Sequence, residues 1–191
     1  MNHEVHSRSS LFLMEMIISI LFFSVASAIC IQLFANAHII SDESVNHNEA
    51  IVWSQNLAET FYGAHGNTDQ IMHVFKEHAV EVQDAVDEST TILFFFDKDW
   101  HLIEYPSGET IPEQAQYEAL MTISKKSANA IYSDVSSYSS AISEDSSALA
   151  AHIVILDIRL VTERIVDSLP DSEDYIIYSL DTDYYLGRED L

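Results

Sequence analysis

The stretch that decides the architecture is LFLMEMIISILFFSVASAICIQLFA, residues 11–35. It carries a single charge, Glu15, and neither proline nor glycine interrupts the backbone hydrogen bonding that lipid demands. As an α-helix rising about 1.5 Å per residue it spans roughly 37 Å, enough to cross a hydrocarbon core of about 30 Å with some tilt or overhang. The expectation is a transmembrane helix. A secretory signal cleaved after the small-residue site Ala35-Asn36-Ala37 is the competing reading, but the apolar run before it is too long for one and holds a carboxylate. Lipoprotein processing at Cys30 would need a small residue where Ile29 stands, so Cys30 reads as an apolar residue within the span.

Working outward, residues 1–10 form a short leader whose one basic residue is Arg8, while 29 of the 31 Asp+Glu lie beyond residue 35. The positive-inside rule counts Lys and Arg near the span, which puts the N-terminus in the cytoplasm and the acidic remainder outside the cell membrane. The chain has 191 residues and a formal charge of −23 from 8 Lys+Arg against 31 Asp+Glu. That length suits one domain plus an anchor, and the 48% apolar content excludes a disordered chain. So negative a balance argues against nucleic acid as a partner, because phosphate contacts need Lys and Arg. One cysteine excludes an intramolecular disulfide or a cysteine zinc cluster, and four glycines leave no Gly-rich phosphate cradle.

Glu15 is the anomaly. A carboxylate costs about 2.5–3.5 kcal/mol at the centre of a spanning helix, and its default reading there is functional. The bland alternative is that Glu15, near the cytoplasmic end, reaches up to the headgroups. Arg8-Ser9-Ser10 followed by Leu11-Phe12-Leu13-Met14-Glu15-Met16-Ile17-Ile18-Ser19-Ile20 resembles the N-terminal signature of type IV pilins and type II secretion pseudopilins. Ser10 stands at that family's glycine and Leu11 at its phenylalanine. The resemblance implies cleavage between Ser10 and Leu11 by a prepilin peptidase, methylation of the new amine, and insertion of the helix into a filament core. It also implies that Glu15 pairs with the N-terminal ammonium of a neighbouring subunit and sets assembly register. The partners implied are other pilin-like subunits, a prepilin peptidase and an assembly platform protein.

Beyond the span, Ala50, Trp53, Leu57 and Phe61 recur at steps of three and four, so residues 36–66 read as an amphipathic helical stem ended by Gly63 and Gly66. An ordinary juxtamembrane helix packed on its own domain would look the same. Residues 67–191 read as an α+β head. Asn67 with Gln70 is a capping-box variant before a second helix over residues 68–86. Thr90-Thr91-Ile92-Leu93-Phe94-Phe95-Phe96 is a strand buried on both faces, turned by Asp97-Lys98-Asp99 into a hairpin partner over 100–105. Alternation predicts a strand over 117–124, with Tyr117, Ala119, Met121 and Ile123 on one side. The serine-rich segment 127–147 reads either as a polar strand over 130–138 followed by a loop, the favoured reading, or as a mobile segment; strands over 151–161 and 175–180 and an acidic tail from 181 follow. The fold class expected is α+β, a long N-terminal helix packed on an antiparallel β-meander, as in pilin-like proteins.

Catalytic constellations are not apparent. The histidines beyond the leader, His38, His47, His65, His73, His78, His101 and His152, form no His-Glu-x-x-His, and their scatter reads as chance. Asp97-Lys98-Asp99 and Asp181-Thr182-Asp183 lack the glycine and terminal glutamate of a calcium loop and read as a turn and a solvated tail. No Gly-x-Ser-x-Gly offers a nucleophile elbow. The sequence reading is a non-enzymatic, pilin-like membrane subunit without metal or cofactor. Its processing site is Ser10 and Leu11, and its assembly residue is Glu15. The alternative is a single-pass extracytoplasmic binding or sensory module that forms no filament.

Overall fold

The structure, a computed structural model, describes residues 4–84, 89–104, 111–132, 146–159 and 173–188. The chain divides into two units, Met1–Val45 and Asn46–Leu191, and helix α1 (Glu4–Gly63) contributes to both. In the first unit α1 buries almost none of its side chains: Leu11 is 65% exposed, Phe23 74% and Phe34 78%. This part of the helix is long and apolar enough to cross a membrane.

The second unit is built on a five-stranded antiparallel sheet in simple meander order: β1 (Ala79–Asp84), β2 (Ser89–Phe96), β3 (Tyr117–Ser127), β4 (Ser146–Asp157) and β5 (Ile176–Arg188). The last turns of α1 pack on one sheet face through Ala50, Leu57 and Phe61, none of which is exposed, with Trp53 beside them. Each large side chain so buried contributes about 1.5–3 kcal/mol. Tyr117, Ala119, Met121 and Ile123 of β3 face this helix, as their alternation predicts. Ile92, Phe94 and Phe96 of β2 do the same, while Leu93 and Phe95 point to a second cluster on the far face with Leu120, Val154 and Leu156. The triple phenylalanine is therefore a strand buried on both sides.

The helix ends by a local device. Gly66 N–H donates to Phe61 O (2.9 Å) and His65 N–H to Tyr62 O (3.0 Å), the paired bonds of a Schellman stop. The left-handed residue is His65 (φ 53°), and Gly66 (φ 73°) follows it. Asn67 Oδ1 then accepts from Gln70 N–H (3.0 Å), capping α2 (Thr68–Phe75) as the Asn67/Gln70 spacing suggests.

Four sequence expectations are corrected. The helix expected over 68–86 stops at Phe75; a 3-10 turn, Lys76–His78, leads directly into β1. Ile71, Phe75 and Ala79 face one core from two different elements, and the alternating valines 80 and 82 favour extended backbone. No strand occupies 100–104: only the isolated bridge Phe96↔Leu102 forms, and the partner of β2 is β3. Asp97 Oδ1 binds two backbone N–H groups of its own turn and Trp100 takes a left-handed φ of 62°, curling the segment inward. Trp100 thereby stacks on Tyr117 with centroids 4.1 Å apart, and Asn46 Oδ1 accepts from both Trp100 Nε1 and Tyr117 OH.

Within the predicted polar strand 130–138, the described residues form part of a short helix instead, α3 (Ala128–Tyr132), where Ser127 Oγ accepts from Ala130 N–H; 133–138 lie outside the described residues. The acidic tail is the outer strand of the sheet as far as Arg188, because Leu180 and Tyr184 pack on the helix-side core while Asp181 and Asp183 alternate to the other face. Tyr105, Val86 and residues 160–161 of the expected elements lie outside the described residues.

Candidate functional site

Three places hold candidate chemistry, two of them singled out in the sequence. The first is the start of the apolar helix. Ser10, Leu11 and Glu15 all lie on α1 and are all exposed. Leu11 and Glu15 are four residues apart, so they share a helix face one turn from each other. Among the described residues Glu15 makes no ion pair.

The second is the turn after β2. Ligand atoms of Asp97, Asp99 and His101 lie within 4.8 Å of one another. The turn already uses them. Asp97 Oδ1 accepts from Asp99 N–H (2.8 Å) and His101 N–H (2.9 Å), Lys98 Nζ donates to Asp99 Oδ2 (2.7 Å), and His101 Nδ1 lies 3.4 Å from Asp97 Oδ2. The His101 N–H, assisted by that of Asp99 and opposed by desolvation, holds the Asp97 carboxyl below the usual range. A carboxylate that closes a turn accounts for the cluster, in line with the turn reading of Asp97-Lys98-Asp99.

The third was not singled out in the sequence. On the sheet face away from α1, Thr91, Thr122, His152 and Asp181 stand opposite one another across β2, β3, β4 and β5. The Thr91 and Thr122 hydroxyls are 3.0 Å apart, and His152 Nδ1–H donates to Asp181 Oδ1 at 2.6 Å. One row further on, Ser124 and Asp183 flank Ala150, and Tyr132 of α3 donates its hydroxyl to Asp183. Burial, reinforced by that carboxylate, pushes the Tyr132 hydroxyl far above the ordinary phenol range, so it stays a donor. Because Ala150 presents only a methyl group between longer side chains, the surface sinks into a hollow of about 570 Å³, bordered by Ser124, Lys126, Ile131, His152, Asp181 and Asp183.

The His152–Asp181 pair orients an imidazole, yet among the described residues no hydroxyl or thiol is hydrogen-bonded to its other nitrogen. The row escaped sequence reading because His152 looked like scatter and Asp181 like tail. The signal that would have found it is register: placing β5 beside β4 puts Asp181 opposite His152. No family model matches the chain, and neither any curated protein nor any solved structure matches it.

Proposed function

We propose that this chain is a pilin-like, pseudopilin-type subunit of a type IV pilus or type II secretion-like machine, assembling through its N-terminal apolar helix. The observation that carries the reading is the first unit itself: a helix with apolar side chains exposed around it, interrupted by one carboxylate at Glu15. Such a surface needs lipid or other helices around it, and a neighbouring helix that brings a cation answers the carboxylate as well.

In a low-dielectric setting the Glu15 carboxylate loses hydration that only a cation and hydrogen-bond donors restore. The ammonium created at Leu11 by cleavage after Ser10 supplies both. Within one helix Leu11 and Glu15 are a turn apart, but a neighbouring subunit displaced along the axis brings its own Leu11 amine to the same carboxylate. Each subunit then contributes one cation and one anion, and the pairing favours a single axial offset. In this reading the N-terminus is cytoplasmic before assembly, the acidic second unit is extracytoplasmic, and the partners are other pilin-like subunits, a prepilin peptidase and an assembly platform.

The test is the mature N-terminus from native membranes, read by mass spectrometry, together with Glu15→Gln and Glu15→Ala. A start at Leu11, with assembly lost and membrane insertion retained in both variants, is the expected result. An intact Met1 with no assembly phenotype would refute the filament and leave a signal-anchored module.

A further inference from the structure

The hollow on the far sheet face has a feature beyond its volume: its charges are sorted. Lys126, on β3, forms one side, exposed and without an ion pair among the described residues. Asp181 and Asp183, on β5, form the opposite side. On β4, Ala150 forms the floor, paired with Ser124 on one side and Asp183 on the other.

Each of the two carboxylates takes part in one hydrogen bond. His152 holds one oxygen of Asp181, Tyr132 holds one oxygen of Asp183, and each aspartate keeps a second oxygen. The hydroxyl of Ser124 adds a neutral donor or acceptor on the lysine side. A volume of about 570 Å³ falls within the roughly 300–1,000 Å³ usual for small-molecule sites.

We propose that this hollow binds a small zwitterion, a dipeptide in particular, with its carboxylate toward Lys126 and its ammonium toward Asp181 and Asp183. Lys126 pairs with Ala148, whereas Asp183 pairs with Ala150 and Asp181 with His152, so Asp183 is the nearer carboxylate, two positions along the strand, and Asp181 lies two further on. At about 4.8 Å per strand and 3.4 Å per residue the Lys126 and Asp183 backbones are roughly 12 Å apart, a span that the two side chains and an extended dipeptide, with roughly 7 Å between its charged ends, can bridge together. A simple amine leaves the lysine unused, and a simple carboxylate meets two aspartates; only a ligand with both charges answers both walls. A neutral sugar answers neither charge. The site lies wholly within the second unit and does not depend on how the apolar helix is used.

The experiment is isothermal titration calorimetry of the full chain in detergent micelles at low ionic strength, with glycyl-alanine as the probe. N-acetyl-glycyl-alanine and glycyl-alanine amide, each blocked at one end, are the comparison ligands, with glucose as the uncharged one. Saturable binding of the free dipeptide, weakened about tenfold or more by blocking either end, is expected. Ala150→Leu should abolish it by filling the floor, and Lys126→Gln should weaken the free dipeptide while leaving the amide unchanged. Tryptophan fluorescence during denaturation checks that Ala150→Leu still folds; if it does not, the exposed Lys126→Gln decides. No saturable binding of the free dipeptide, equal binding of either blocked form or of glucose, or unchanged binding by a folded Ala150→Leu variant would each overturn the assignment.

Discussion

Replacing Gly66 by alanine tests the joint between helix and sheet. Gly66 has φ 73°, and a Cβ built there would lie 2.4 Å from Leu149 Cδ1 and 3.2 Å from Phe61 Cε2. The left-handed backbone costs an alanine about 1–2 kcal/mol. The contact with Leu149 involves the far end of a flexible side chain, which can swing away at about 0.5–1.5 kcal/mol. Phe61 is fully buried and has nowhere to go. Together these give a loss of about 2–3 kcal/mol. For a unit of this size that lowers the melting temperature by roughly 6–9 °C.

Gly63→Ala is the matched control, because nothing lies within 4 Å of its Cβ and the residue is helical. It should gain about 0.5–1 kcal/mol. Both tryptophans, Trp53 and Trp100, lie in the second unit, so their fluorescence during denaturant unfolding reports that unit alone. Adding Leu149→Ala to Gly66→Ala should recover the side-chain part of the loss and leave the backbone part. If Gly66→Ala matched the parent, or if Gly63→Ala were the more harmful change, the account of how α1 terminates would be wrong.

Ser54 is fully buried on the helix face toward the sheet, and its Oγ has no hydrogen-bond partner among the described residues. Ser54→Ala should therefore raise stability by about 1 kcal/mol, combining relief of an unpaired hydroxyl with better helix propensity; a loss in the same denaturation assay would show the hydroxyl to be bonded. Asp97 has a lowered pKa, so its contribution is complete above the ordinary value of 3.8 and fades as pH falls below it. Asp97→Asn keeps a neutral acceptor, so the parent should exceed it by about 1 kcal/mol near neutrality and converge with it in acid. Parallel stability–pH curves for the two proteins would rule that out.

Regular features were legible where one physical signal dominated. Ala50, Trp53, Leu57 and Phe61 marked the packed face of α1, and alternation in β3 gave the correct inward side. Asn67 and Gln70 located the start of α2. Errors came where two elements shared one core or where polar residues hid a strand. Ile71, Phe75 and Ala79 imitate a helical stripe, although the chain changes from helix to strand between them. Asp181, Asp183 and Tyr184 look like a tail until β4 supplies the partner that makes their alternation meaningful. Propensity puts Trp100 in a hairpin because it does not register a tertiary acceptor such as Asn46, far away in sequence. The far-face hollow was invisible for a similar reason: it arises from a small residue on the middle strand and longer ones on both neighbours, a relation that exists only after pairing.

Helix α1 follows two solvent rules within one element. Over residues 46–63 its apolar positions form a stripe, the pattern of a helix with one partner and one wet side. Over residues 11–35 apolar side chains occur around the whole circumference, and none of them finds cover within the first unit. Propensity does not separate these segments; what differs is which surroundings make burial favourable. In water the second pattern would be an aggregation liability at the exposure observed for Phe23 and Phe34. In lipid it is neutral, and among copies of itself it gains packing that lipid alone does not provide. Glu15 turns that choice into a measurable one. An anchor that stays in lipid is improved by Glu15→Leu, since removing the carboxylate removes its insertion cost. A helix that assembles against a neighbour's Leu11 amine is impaired by the same change, because the leucine leaves that ammonium without its partner.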